Sequence, residues 1–137
     1  MNGQIQHGDR LYFYIPSANC NRVENLFTFY TAANNSNLTN LQDKPLAIKI
    51  NENQINANVR FMFPMLMGHQ VWLSIGNYDL DTHINFLTSY EKLNIEIIDK
   101  DSFKSAEYFD ISFNIWSLIG LNKAIEEGRS LCLSLLS

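Results

Sequence analysis

The residues of this chain whose types could do chemistry are three histidines and a scatter of carboxylates. His83 follows Asp79 and Asp81 closely, and His69 precedes the strand-like run that leads into the same stretch. A zinc ion takes three or four such ligands converging at about 2 Å. The competing reading is that Asp81 caps a helix and leaves His83 in its exposed first turn, which explains the same residues without a metal. That reading is preferred, so no metal ligands are assigned, and His7 stands apart near the start. The paired carboxylates Asp99/Asp101 and Glu126/Glu127 read as solvated turn and helix faces. No glycine-flanked serine elbow and no phosphate-binding glycine loop occurs, which disfavours a hydrolase triad and a nucleotide cofactor. Cys20 and Cys132 are too far apart for a redox pair or a zinc knuckle, and nothing local marks either thiol as activated. No catalytic residue and no cofactor is assigned.

Binding is the better-supported chemistry. Trp72, Tyr78, Asp79 and His69 would lie on loops at one end of a sheet structure, where aromatic platforms with a carboxylate suit a sugar or another small ligand. The same residues also suit a core plus a helix cap. The segment 61–67 carries two phenylalanines and three methionines around Pro64, and such a set makes an adaptable contact surface when exposed. Core filling at a sheet bend is the preferred reading there, because Phe61 and Phe63 continue the alternation of the residues before them.

These residues need elements to hold them. Residues 10–15, 26–31, 46–50, 55–63, 70–75, 93–98 and 108–113 are aromatic, β-branched or alternating, and each ends in turn-forming residues. From Asp81 the apolar residues Ile84, Leu87 and Tyr90 recur at helical spacing, which predicts a helix of about three turns. A second helix is predicted where Trp116, Leu118, Ile119, Leu121, Ala124 and Ile125 share a face, with Gly128 at its end. The tail 131–136 is too apolar to hang free and packs or continues that helix. Strands in hairpin-like succession predict a mainly β fold with one or two helices, an antiparallel β-sandwich spanning 1–137 as a single domain.

Composition narrows the partners. The 137 residues are 46% apolar and 18% charged with a formal net charge of -4. Ten scattered Lys and Arg do not make the clustered cation surface that a phosphate backbone requires, so no nucleic acid is expected. No apolar run approaches the roughly 18 to 20 residues of a membrane span. Asn34 and Asn37 open formal glycosylation sequons in an asparagine-rich loop, matches of low specificity.

Four segments, Trp72-Leu-Ser74, Phe86-Leu-Thr-Ser-Tyr90, Leu93-Asn-Ile95 and Leu118-Ile-Gly-Leu-Asn-Lys-Ala-Ile125 with Cys132, resemble small bacterial envelope proteins of the invasion-associated protein B type and the accessory proteins of type VI secretion clusters. The likeness covers about the second half. It implies an exported, disulfide-bearing sandwich, periplasmic or secreted, with no catalytic residues to carry over. Its partner would be another envelope or secretion-system protein. On this likeness Cys20 and Cys132 form a disulfide, and two separate buried thiols remain the alternative.

Overall fold

A computed structural model describes residues 1–6, 8–32 and 38–136; His7 and the sequon residues Asn34 and Asn37 lie outside them. Seven strands form one antiparallel sheet: β1 (Leu11–Tyr14), β2 (Arg22–Ala32), β3 (Pro45–Ile50), β4 (Asn53–Met65), β5 (Gly68–Asp79), β6 (Lys92–Ile97) and β7 (Phe113–Ser117). Helix α1 (Leu80–Thr88) joins β5 to β6, and α2 (Leu121–Ser134) follows β7. The strand order is β1-β2-β5-β4-β3-β6-β7. This is the strand-rich antiparallel fold with two helices that the alternation predicts, its two layers made by one sheet curling onto itself.

Curling brings the inner faces together. Phe27 and Phe29 on β2 meet Trp116 on β7 at ring-centroid distances of 6.4 and 6.3 Å, although β2 and β7 are not neighbours in the sheet. Leu46, Ile48 and Ile50 of β3 and Leu93, Ile95 and Ile97 of β6 extend the same buried interior. Between the sheet's two edges runs the N-terminal segment. Leu11 donates its N–H to the Met1 carbonyl, Gly3 donates to the Asp9 carbonyl, and Gln4 donates to the Ile115 carbonyl of β7 at 2.8 Å. The seam is sealed by Asn114, fully buried on β7, which donates Nδ2 to Asp9 Oδ2 at 2.9 Å and accepts the Ile5 N–H on Oδ1. A Cβ on Gly3 would run into the Asn114 side chain, so only glycine fits that crossing.

Several boundaries differ from the sequence reading. Trp116 belongs to β7, not to the terminal helix, and residues 108–112 are not strand. Gly120, with φ of 83°, turns the chain into α2, and Gly128 lies within that helix instead of ending it. The tail does continue the helix, with Leu131, Leu133 and the C-cap Leu135 all exposed around the buried Cys132. Pro64 does not interrupt β4: among the described residues the β3 pairing stops at Asn58, so the proline sits where only β5 needs donors.

Cys20 and Cys132 are bonded, with their Cα atoms 5.8 Å apart, which fastens the β1–β2 connection to the last turns of α2. Replacing both by serine should lower the unfolding free energy by about 2 to 5 kcal/mol, since the cross-link closes a long loop in the unfolded chain. Chemical denaturation with unchanged far-UV circular dichroism at zero denaturant checks this.

Asp9 has no exposed surface, and burial pushes its pKa up to about 6 despite hydrogen bonds from Asn114 and the Tyr30 N–H. A carboxyl raised in the folded state favours folding when protonated. Its contribution is therefore full below the ordinary carboxylate range and is lost as pH rises through about 6. Asp9→Asn should remove that dependence, a difference of about 2 kcal/mol between pH 4 and pH 7 in paired denaturation curves.

Candidate functional site

Strand β5 carries all four residues singled out for binding, and it separates them. His69 and Asp79 stand near opposite ends of the strand, roughly 30 Å apart at about 3.3 Å per residue. Trp72 lies mid-strand and Tyr78 next to Asp79. The expected convergence on loops at one end therefore does not occur. His69 pairs in register with Thr31 and Pro64, and its Nδ1 is buried with no hydrogen-bond partner among the described residues. No group of three or more His, Cys, Asp and Glu side chains among the described residues is placed to hold a metal.

At the Asp79 end, the helix cap is two residues earlier than expected. Asp79, not Asp81, is the N-cap of α1, accepting from the Thr82 N–H at 3.1 Å and from Thr82 Oγ1 at 2.9 Å. These donors hold its carboxyl below the usual carboxylate range. Asp81 instead pairs with Arg129 of α2 at 2.6 Å. The two-residue shift of the cap, about 200° of helical phase, goes with an inward His83, 7% exposed, where the sequence reading leaves it in water. Its ring stacks on Tyr78 with centroids 4.3 Å apart and an interplanar angle of 4°. Asn25 of β2 fixes the pair: its Nδ2 donates to the Tyr12 carbonyl, so its Oδ1 is left to accept from His83 Nε2 at 2.8 Å. Desolvation lowers the His83 pKa to about 4, and burial raises that of Tyr78.

A bulge makes this arrangement possible. Between Asn25 and Leu26 the register with β5 slips by one, leaving Ile75 as the extra residue, and Gly76 follows at φ of 141°. Tyr78 then folds back so that its hydroxyl donates to the Ile75 carbonyl at 2.9 Å. An Asn amid the apolar residues of a strand is depleted for good reason, and Asn25 was the one readable sign of a polar site here.

The outer face of β5 carries the second feature. Tyr12 stacks on Trp72 at 4.4 Å, and Phe61 and Phe63 pack against the same indole at 6.4 and 6.1 Å. Core filling by Phe61 and Phe63, the preferred reading, is thus overturned: they are 44% and 49% exposed. The cause is a bulge at Arg60. Val59 pairs with Leu73 but Phe61 pairs with Trp72, so the alternation inverts, and Met62 faces the core where the phenylalanines would have been. Arg60, the extra residue, reaches back across the sheet to Glu24 at 2.5 Å, whose Oε2 also accepts from Ser74 Oγ. The hairpin turn beyond adds Met65, Leu66 and Met67, each more than half exposed. Tyr14 lies at the other margin of the same face.

Since His83 is held neutral, folding is disfavoured wherever the unfolded chain protonates it. Its contribution is lost as pH falls from about 6.5 towards 4, the opposite sense to Asp9. Relative to His83→Gln, whose amide can still donate to Asn25, the unaltered chain should lose up to about 3 kcal/mol over that interval, measured by urea unfolding at each pH.

No family model matches the chain, and no curated protein and no solved structure matches it.

Proposed function

We propose that this chain is a non-catalytic binding domain that docks a protein partner through the aromatic and methionine face around Trp72. The observation that carries the reading is the half-buried Tyr12 and the exposed Phe61 and Phe63 packed on one indole, with exposed Tyr14 beside them and exposed Met65 and Met67 on the hairpin beyond. Aromatic residues, Met and Arg are the types enriched where proteins meet, and they supply most hot spots. Here an Arg60–Glu24 pair sits within the aromatic field and gives it polar orientation. The partner takes the face of the sheet more readily than its edge, because Pro64 removes a donor from the part of β4 that has no β3 neighbour. A sugar platform fits less well, since Tyr12 covers the Trp72 ring.

Structural duties occupy the perturbed carboxyl groups and the buried histidine, which supports a non-catalytic role. Asp9 seals the sheet seam, Asp79 caps a helix, Asp99 accepts the Ser105 N–H in a turn, and His83 is locked to Asn25. A disulfide suits an oxidising compartment, and no helix among the described residues is long and apolar enough to cross a membrane. Together with the likeness of the second half to envelope and secretion accessory proteins, this favours a periplasmic or secreted domain whose partner belongs to an envelope or secretion assembly.

Cross-linking in the native envelope fraction tests the reading. Phe61→Ser/Phe63→Ser should reduce recovery of a specific partner at least tenfold while leaving the unfolding midpoint unchanged or raised, because both rings are half exposed. Leu131→Ser, on the exposed side of α2, should leave recovery intact. Equal recovery by all three proteins would sink the proposal.

A further inference from the structure

On the inner side of β5, beneath α1, the curled sheet leaves a cavity of about 390 Å³. Ile50, Ile55, Ile75, Phe86 and Leu87 make its apolar wall. That volume is roughly two and a half times the ~150 Å³ apolar cavity that takes a benzene ring, which suits a fused two-ring molecule. Cavities at the mouths of β-barrels, mostly apolar with a few fixed polar groups, are common small-ligand sites.

The polar equipment of this cavity is specific. Asn25 is fully buried and its amide orientation is set by the Tyr12 carbonyl, so Oδ1 takes the His83 Nε2 proton. In the neutral ring the remaining lone pair is then on Nδ1. That nitrogen has no hydrogen-bond partner among the described residues, although His83 is more than nine-tenths buried and lines the cavity. The atom itself is not fully buried, so it is open to the cavity and free to accept from a ligand donor there. Charge settles the rest: no Lys or Arg lines the cavity, and the one carboxylate at its wall, Asp79, is held ionised by Thr82. An anion would be repelled there and a cation would face almost wholly apolar walls.

We infer that this cavity binds an uncharged, flat, two-ring aromatic molecule bearing one hydroxyl or N–H, with the rings among the isoleucines and Phe86 and the donor on His83 Nδ1. The site lies on the opposite face of β5 from the Trp72 cluster, so it stands or falls independently of the docking surface.

Titration of the full chain with 2-naphthol, naphthalene and 2-naphthoate, followed by isoleucine methyl resonances, tests it. 2-Naphthol should shift Ile50, Ile55 and Ile75 and bind about tenfold more tightly than naphthalene, the worth of one buried hydrogen bond. 2-Naphthoate should bind most weakly. His83→Phe should erase the preference for 2-naphthol while keeping naphthalene binding. Because that variant also strands Asn25 Oδ1, Ile55→Trp is the second variant: it fills the cavity, leaves His83 in place, and should abolish binding of all three. Absence of shifts at those isoleucines up to the solubility of 2-naphthol, equal affinity for naphthalene, or binding that survives Ile55→Trp would each overturn the inference.

Discussion

A seven-stranded sheet with free edges has no reason to stay curled unless something joins its far sides, and here that is the contact of Phe27 and Phe29 with Trp116 across the interior. Rings of this kind bury on the order of 150 to 250 Å² each and gain about 0.5 to 1.5 kcal/mol per pair beyond that burial. Phe109 joins from the segment before β7, so four rings bridge β2 to the far edge. The N-terminal segment then finds β1 and β7 close enough to bond to both. Every other feature follows from this closure: an inside with two open ends, and strands whose outer faces must do something other than fill a core.

The ends are plugged differently. At one, the short turn Leu38–Leu41 and the loop that carries Phe109 bury their apolar side chains against the barrel. At the other, α1 lies over the β3–β4 turn and the end of β5, and it is too short to fill the space beneath it. A nine-residue helix has little intrinsic stability in water, so its docking rests on Leu80, Ile84, Leu87 and the buried His83. The Asp81–Arg129 pair ties it to α2, and the disulfide ties α2 to the β1–β2 connection. The cavity is thus roofed by a helix held to its walls through His83, Asn25 and Tyr78 and braced from outside by α2, which is how an unfilled space can persist beside a dense core.

The period-two alternation made six of the strands legible, most plainly β3 and β6 with one face in the core and one towards water, while β2, buried on both faces from Val23 to Phe29, showed itself by its aromatic and β-branched residues. What alternation could not reveal is a change of phase. Two single-residue bulges, at Arg60 on β4 and at Ile75 on β5, reverse which residues point inward. One put Phe61 and Phe63 outside, and the other let Tyr78 fold back on His83. Trp116 went to a strand instead of a helix because a short apolar run fits either period, and only its pairing with Leu93 decides. Asp79 and Asp81 are both good N-caps; the cap lies at Asp79, and the face packed inward, Leu80, Ile84 and Leu87, takes His83 with it. In each case the residue types were right and the local phase was set by tertiary contacts.

The two binding surfaces share one strand but few energetic links. Trp72 faces outward and Val71, Leu73 and Ile75 face inward, so a substitution on one side leaves the other's side chains untouched. Coupling between them would have to pass through the backbone of β5, which is held on both sides by β2 and β4. A more direct route among the described residues runs through Tyr12: its ring stacks on Trp72 while its backbone carbonyl accepts from Asn25, the residue that orients His83. A partner that levered Tyr12 off the indole would disturb the amide that sets the histidine tautomer. Occupation of the outer face without moving Tyr12 leaves the inner site as it is, so the position of that one tyrosine decides whether the two surfaces act separately or together.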